Sequence, residues 1–165
     1  MKQEMIALFP GTFDPFTNGH LDLTRRASRL FDRVVVAVAH SEAKGTLFPV
    51  EERVEMIRTA VRSMRRVEVV EFSDLVVACA KRTGAQVMIR GLRAVSDFEF
   101  EFQMALMNRK LEPTIETIFL TPREEYTYLS SRIVKEIARL GGNVDAFVPP
   151  SVAKALAERF GRIDS

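Results

Sequence analysis

Residues 8–20 decide how this chain can fold, and they read Leu8-Phe9-Pro10-Gly11-Thr12-Phe13-Asp14-Pro15-Phe16-Thr17-Asn18-Gly19-His20. The apolar run at residues 5–9 predicts a strand, and the amphipathic run at residues 21–31 predicts a helix. The glycines and prolines between them predict a tight loop, since glycine adds backbone freedom and proline removes it. We expect the helix to begin at Gly19-His20, after a cap at Thr17 or Asn18.

A loop of this kind can bind an anion. It ends at a helix N-terminus, where free backbone N–H groups and the positive end of the helix dipole face a ligand. An ordinary connection between a strand and a helix has the same outline. The shape of the loop alone therefore leaves both interpretations open.

The composition predicts one globular domain over residues 1–165, because 47% of the residues are apolar and 28% are charged. A net charge of +2 is too small to indicate nucleic acid or an anionic membrane as a partner. With Cys79 as the one cysteine, no internal disulfide can form, which fits a reducing compartment. No apolar run is long enough to span a membrane, so we expect a cytoplasmic protein. Two histidines and one cysteine also cannot build a typical protein zinc site.

The rest of the chain alternates strands with helices. Residues 34–39 form a continuous apolar, β-branched run, which is typical of a strand buried on both faces of a parallel sheet. Further strands are predicted at 67–72, 86–89 and 115–120, with helices between them and a last helix at about 151–160. The prediction is an α/β fold, a single Rossmann-like, doubly wound domain with a five-stranded parallel sheet.

Several polar groups follow predicted strands and should share the sheet edge where ligands bind in such folds. Lys44 lies in the loop after the second strand, and Arg90 and Arg93 flank a glycine after the fourth. Arginine forks pair well with phosphate oxygens. Ser130 and Ser131 precede a helix at the same edge and offer a second phosphate site, although a plain serine cap would explain one of them equally well.

The segment from residue 96 to 109 alternates apolar and acidic residues with period two, yet it continues into good helix formers without a turn. We predict a helix with Ser96 as its cap. Its apolar residues form two stripes, so that one can pack on the sheet and the other would need a subunit interface. The stripes are Phe98, Phe102 and Ala105, and Phe100, Met104, Met107 and Leu111.

These motifs together resemble a known family. Thr17-Asn18-Gly19-His20 resembles the (T/H)-x-G-H signature of the nucleotidylyltransferase superfamily, and Ser130-Ser131 resembles its second, serine-rich motif. More narrowly, the chain is similar to the bacterial phosphopantetheine adenylyltransferases. The motifs that carry this resemblance are Pro10-Gly11-Thr12-Phe13-Asp14-Pro15, Ile89-Arg90-Gly91-Leu92-Arg93, Asp97-Phe98-Glu99 and Met107-Asn108-Arg109.

The resemblance implies a single nucleotidyltransferase domain that transfers AMP from ATP to 4′-phosphopantetheine, giving dephospho-coenzyme A and pyrophosphate. It also implies Mg²⁺ bound mainly through the ATP phosphates, no protein metal site, and a homohexamer. Because the attacking phosphate oxygen is already ionised, no strong general base is needed. Catalysis would then rest on positioning and on stabilising charge at the α-phosphate.

The resemblance also assigns roles to residues. It places Thr12 between the two substrates, makes His20 the stabiliser of the transition state, and adds Lys44 and Arg93 to the catalytic set. Phosphopantetheine would contact Thr12, Lys44, Val76 and Arg90. The ATP site would comprise Thr12, Phe13, His20, Gly91, Leu92, Arg93, Glu101, Tyr126, Thr127, Tyr128, Leu129, Ser130, Ser131 and Arg132.

Alternatives remain. The nearest is another member of the superfamily, such as a cytidylyltransferase or a nicotinate or nicotinamide mononucleotide adenylyltransferase, which would differ around residues 90–93. From another class, a non-enzymatic nucleotide-binding protein would tolerate the loss of His20 or Lys44. The sequence departs from the family at Arg132, where some members have a third serine, and at residues 126–128, where many have Trp or Tyr, Ser, then Phe.

Overall fold

A computed structural model describes residues 3–41, 45–93 and 95–161. The strands are β1 (Ile6–Gly11), β2 (Arg33–Ala39), β3 (Val67–Phe72), β4 (Val87–Gly91) and β5 (Glu116–Leu120). The helices are α1 (Asn18–Leu30), α2 (Val50–Val61), α3 (Val76–Thr83), α4 (Val95–Leu111), α5 (Ser131–Arg139) and α6 (Pro150–Phe160), with a short 3₁₀ helix at Glu124–Tyr126. None of the helices described is both long and apolar enough to cross a membrane.

The five strands form one parallel sheet in the order β3-β2-β1-β4-β5. This confirms the predicted five-stranded parallel α/β fold. The central part of β2, residues 34–38, is fully buried, as its continuous apolar run predicts.

Each face of the sheet carries its own core, because alternate side chains of a strand point to opposite faces. Phe9 of β1 and Val36 of β2 belong to the larger core, into which α1, α2, α5 and α6 pack. Leu8 and Val35, their neighbours in sequence, belong to the smaller core with α3. Helices on both faces make the domain doubly wound.

The order of the strands reverses at β1. The chain runs outward from β1 through β2 to β3, then crosses to β4 on the other side of β1 and continues to β5. The carboxyl ends of β1 and β4 therefore flank the switch point, where open α/β sheets leave a crevice for ligands. Gly11 ends β1 there, and Arg90 and Gly91 end β4.

Helix α4 differs from its prediction in the face that it buries. It is a helix, but Ser96 lies within it rather than before it. Its buried residues include Glu101 and Asn108, whereas Phe98, Phe100 and Met107 are exposed. Both predicted apolar stripes thus face largely outward, because polar residues of α4 find partners on the protein: Glu101 pairs with Arg90, and the Asn108 amide contacts the Met88 sulfur at 3.7 Å.

Candidate active site

The loop after β1 is closed by a capping box at the start of α1. Thr17 is the N-cap, and its hydroxyl accepts from the backbone N–H of His20 at 3.4 Å. In return, the backbone N–H of Thr17 donates to Nδ1 of His20 at 3.0 Å. The two bonds satisfy donors that a helix N-terminus otherwise leaves free, and they fix the imidazole against the loop.

This contact also sets the tautomer of His20. Since Nδ1 accepts a hydrogen bond, the neutral ring carries its proton on Nε2. Burial, together with the positive charges of Arg93 and Arg90, lowers the pKa of His20 from 6.5 to about 3. At neutral pH the ring is therefore an uncharged donor through Nε2–H.

Phe13 holds the turn of the loop in an unusual conformation. Its φ of 50° lies in the left-handed region, which side chains other than glycine seldom adopt. Its buried ring packs edge-on against Phe9, Phe16 and His20, with centroids 5.3, 5.4 and 5.0 Å apart. The ring also passes over Gly11, where a Cβ atom would lie 2.8 Å from Phe13 Cζ, so this close approach requires glycine.

Arg90 projects from β4 and pairs with Glu101 of α4. Its Nε and Nη2 donate to the two carboxylate oxygens at 2.7 and 2.6 Å, and Nη1 donates to the Pro10 carbonyl at 2.7 Å. The fork therefore joins β1, β4 and α4 at the switch point. The family resemblance assigns Arg90 to phosphopantetheine and Glu101 to ATP, but in the structure the two side chains are direct partners.

Arg93 and the serine pair connect the other side of the site. The Nε of Arg93 donates to Asp97 at 3.1 Å, and its Nη1 donates to the Leu129 carbonyl at 2.9 Å. Ser130 is the N-cap of α5, since its hydroxyl accepts from the N–H of Ile133. The hydroxyl of Ser131 donates to the Pro15 carbonyl at 2.7 Å, which ties α5 to the loop after β1.

Two cavities open at this edge. The larger, about 460 Å³, lies over the loop after β1, and the smaller, about 300 Å³, lies between the sheet and α4. Both are lined by Thr12 and by the Arg90–Glu101 pair. Two ligands bound in these cavities would therefore meet at Thr12.

The structure brings most of the predicted site residues together. The larger cavity is lined by Thr12, Phe13, His20, Gly91, Arg93, Glu101, Tyr126, Leu129, Ser130, Ser131 and Arg132. Val76 and Arg90 line the smaller cavity. Leu92, Thr127 and Tyr128 line neither, and Tyr128 is 65% exposed. Lys44 lies outside the described residues.

Three buried charges beneath the site were not predicted from the sequence. The Asp14 carboxylate accepts from the backbone N–H groups of Leu47 and Phe48 and from Lys135 Nζ, at 2.8, 3.0 and 2.9 Å. Arg53 donates to three backbone carbonyls. A signal for Arg53 was available, because it precedes Ile57 and Val61 at a spacing of four residues and so belongs to the buried stripe of α2.

The Asp22 carboxylate is the third of these buried charges, and it fastens the segment after β5 to α1. It accepts from Nε of Arg123 at 3.1 Å and from Nη1 of Arg26 at 3.3 Å. Tyr126, which lines the larger cavity, follows on this segment. Asp22 is 4% exposed, so its charge is compensated by these cations rather than by water.

Fold and site define a class: an α/β nucleotide-binding protein with a T-x-G-H loop at its switch point. Comparison with known proteins narrows this class. Residues 8–137 match the family model described as cytidylyltransferase-like. The chain is 61% identical over 154 residues to the phosphopantetheine adenylyltransferase of Methylococcus capsulatus, covering 93% of this chain and 95% of that protein. The chain belongs to the cytidylyltransferase-like family and, within it, to the phosphopantetheine adenylyltransferases.

A solved structure supports the fold independently. A crystal structure of a candidate nicotinate-nucleotide adenylyltransferase from Vibrio parahaemolyticus superimposes with a TM-score of 0.72 and covers 93% of this chain and 99% of its own. Since the two sequences are only 16% identical, this likeness concerns the fold alone.

Proposed function

We propose that this chain transfers the adenylyl group of ATP to 4′-phosphopantetheine, giving dephospho-coenzyme A and pyrophosphate, a step of coenzyme A biosynthesis. The observation that carries the proposal is the pair of cavities that meet at Thr12. A reaction that joins two phosphorylated substrates needs two sites with one contact point, and the 61% identical relative carries the name of this enzyme.

ATP would occupy the larger cavity. Its phosphates would meet the N-terminus of α1, the N-terminus of α5 and the guanidinium of Arg93, a combination that suits a polyanion. Phosphopantetheine would occupy the smaller cavity, with its arm beside Val76 and its phosphate at Arg90. The family resemblance adds Lys44 to the residues expected to bind this phosphate. Thr12 would then lie between the attacking phosphate and the α-phosphate.

In the reaction, an oxygen of the phosphopantetheine phosphate attacks the α-phosphorus of ATP. One P–O bond forms there, and the bond from the α-phosphorus to the bridging oxygen breaks, so that pyrophosphate leaves with the electron pair. The attacking oxygen is already ionised at pH 7, so no base has to remove a proton. The chain's contribution is to align the two phosphates and to stabilise the charge that develops between them.

His20 is suited to that stabilisation as a neutral donor. Nδ1 is held by the N–H of Thr17, which leaves Nε2–H for a phosphate oxygen of the transition state. The pKa of about 3 keeps the ring uncharged at neutral pH, so that its one proton stays on Nε2. Arg93 supplies positive charge at the same cavity.

We infer that Mg²⁺ accompanies ATP and is held mainly by the nucleotide phosphates and water, where it neutralises phosphate charge. Among the residues described, no cluster of three or more His, Cys, Asp or Glu side chains could hold a metal ion. The carboxylates that line the larger cavity each have a basic partner: Asp14 with Lys135, Asp97 with Arg93, and Glu101 with Arg90. This donor set suits an ion that takes few protein ligands.

We also propose that the chain acts in the cytoplasm as a homohexamer. Support for assembly comes from α4, whose exposed apolar side chains form a surface of the kind that subunit interfaces cover. These side chains include Phe98, Phe100, Phe102, Leu106, Met107 and Leu111.

A pyrophosphate-release assay with a panel of acceptors tests the proposed reaction. With ATP as donor, we expect release with phosphopantetheine and none with nicotinate mononucleotide or nicotinamide mononucleotide. With CTP in place of ATP, we expect little release. Release with a mononucleotide acceptor, or with CTP alone among the donors, would assign the chain to another branch of the superfamily. No release with any acceptor would favour a nucleotide-binding role without catalysis.

A further inference from the structure

Arg53 is a buried charged residue that holds together three segments around the site. It lies in the first turns of α2, and only 2% of its surface is accessible to solvent. Its Nη1 donates to the carbonyls of Thr12 at 2.6 Å and Ala39 at 2.8 Å, and its Nε donates to the carbonyl of Phe48 at 2.9 Å. One guanidinium thus holds the loop after β1, the end of β2 and the segment before α2.

The contact to Thr12 has a consequence for the neighbouring N–H group. In a trans peptide the carbonyl and the N–H point in opposite directions. Because the Thr12 carbonyl is drawn down to Arg53, the N–H of Phe13 is turned away from the interior. Thr12 and Phe13 both line the larger cavity.

The conformation of Phe13 shows that surrounding contacts hold this peptide in a geometry that a phenylalanine disfavours. A φ of 50° is unfavourable for a phenylalanine and persists only where the surroundings impose it. The Phe13 ring is fixed by its aromatic neighbours on one side, and Arg53 fixes the preceding carbonyl on the other. Strained backbone of this kind is found where a donor must be oriented in advance.

Asp14 holds the same two loops from the opposite direction. Its carboxylate, which belongs to the loop after β1, accepts from the N–H groups of Leu47 and Phe48 before α2. Arg53, which belongs to α2, reaches back to Thr12. The two side chains thus cross between the loops, and the segment around Thr12 has little freedom to shift.

We propose that Arg53 is a positioning residue, which acts through the Thr12–Phe13 peptide and turns the N–H of Phe13 toward the phosphates of ATP. The proposal rests on the proposed function, because it needs a phosphoryl substrate in the larger cavity. It predicts that Arg53 sets the geometry of the reaction rather than the affinity for either substrate.

The test compares Arg53→Met and Arg53→Lys with two controls. Arg58→Met removes an arginine of the same helix whose hydrogen bond goes to the Val69 carbonyl of β3. Leu156→Ala destabilises the core at α6, away from both cavities. For each folded variant we would measure pyrophosphate release with ATP and phosphopantetheine, the KM of each substrate, and the equilibrium binding of each substrate alone.

We expect both Arg53 variants to lower kcat about 100-fold, the size of effect that a small misplacement of a reacting group produces, while each KM and each binding constant changes less than about threefold. Lysine should not rescue kcat, because the single nitrogen of an ammonium group cannot occupy the positions of both Nε and Nη1, from which Arg53 bonds the three carbonyls. Both controls should retain kcat within about threefold.

Three results would overturn the proposal: a kcat near wild type in a folded Arg53 variant, a loss of kcat matched by Leu156→Ala, or a fall in substrate binding as large as the fall in kcat. If Arg53→Met does not fold, Arg53→Lys decides the test, since it keeps the charge. Failure of both to fold would assign Arg53 to the fold alone and also overturn the proposal. Absence of turnover in the wild type is a separate outcome, which would reject the proposed function and this proposal with it.

Discussion

In the proposed mechanism, His20 has two roles that a single imidazole can combine only in one tautomer. Nδ1 accepts from the Thr17 N–H and completes the cap of α1, and Nε2–H would donate to a phosphate oxygen. The T-x-G-H motif therefore does more than supply a histidine. The threonine, three residues earlier, fixes which nitrogen of the ring donates.

Removing the ring should affect catalysis far more than the fold. We expect His20→Ala to lower kcat by roughly 10²–10³-fold, the usual effect of losing one transition-state donor. His40→Ala is the matched control, since His40 is the chain's other histidine and lines neither cavity. Steady-state pyrophosphate release measures both variants, and near-wild-type turnover of His20→Ala would remove His20 from the mechanism.

The low pKa of His20 predicts a dependence of stability on pH. In the unfolded chain the ring takes up a proton as the pH falls through 6.5, but in the folded chain it does so only near pH 3. The unfolded state therefore binds more protons between pH 6.5 and 3, and the free energy of unfolding should fall as the pH is lowered through that range.

Two measurements check this expectation. Nitrogen NMR of the His20 ring should show the neutral Nε2–H tautomer down to about pH 4. Denaturant unfolding should show a smaller loss of stability between pH 6.5 and 4 in His20→Ala than in the wild type. A ring that titrates near 6.5 would contradict the assignment.

Among the elements, two loops are stabilised by Asp14: the loop after β1, to which it belongs, and the segment before α2, whose N–H groups it binds. Its carboxylate is 4% exposed and binds two backbone N–H groups and Lys135. We expect Asp14→Ala to reduce the free energy of unfolding by about 3 kcal/mol or more, because it leaves buried donors and a cation without their acceptor.

An exposed ion pair provides the control for Asp14. Lys154 and Glu158 approach to 3.9 Å on the surface of α6, and both side chains are largely exposed. Lys154→Met should change the free energy of unfolding by less than about 1 kcal/mol, as is usual for surface pairs. Equal effects of the two substitutions in urea unfolding would show that the Asp14 contacts are not structural.

How far the sequence predicts an element depends on where its decisive contacts lie. β2 was predicted because its apolar run carries the information locally. The buried face of α4 was not predicted. Glu101 and Asn108 are buried because they have partners on β4, and the periodicity of the sequence does not reveal those partners. The sequence also predicts Ser73 or Asp74 as the cap of α3, which is wrong, because the N-cap is Leu75 and Asp74 pairs with Arg82.

The site shows the same division. Residues within a contiguous motif, such as Thr12 and His20, could be located from the sequence alone. The pairing of Arg90 with Glu101 could not, because it requires knowing that α4 crosses the end of β4. For Arg53, burial is readable from helical spacing, but its three carbonyl partners come from segments that meet only in the folded chain.

For the whole molecule, a substitution on the exposed apolar face of α4 can test whether the chain forms an oligomer. Met107 is 61% exposed on this helix and lines neither cavity. We expect Met107→Glu to lower the molar mass measured by light scattering after gel filtration, because the substitution would bury a charge in the proposed interface. Leu140→Glu, which changes a residue that is 73% exposed on the other face of the sheet, should leave the molar mass unchanged. A wild-type monomer at micromolar concentration would contradict the hexamer.

In the proposed reaction, two phosphorylated substrates react where the two cavities meet. Phosphorus NMR of the wild-type protein with ATP, Mg²⁺ and 4′-phosphopantetheine tests it most directly, since it identifies both products. We predict that dephospho-coenzyme A and pyrophosphate appear in equal amounts as ATP and phosphopantetheine disappear. Formation of ADP and inorganic phosphate instead, or unchanged substrates beside bound ATP, would contradict it.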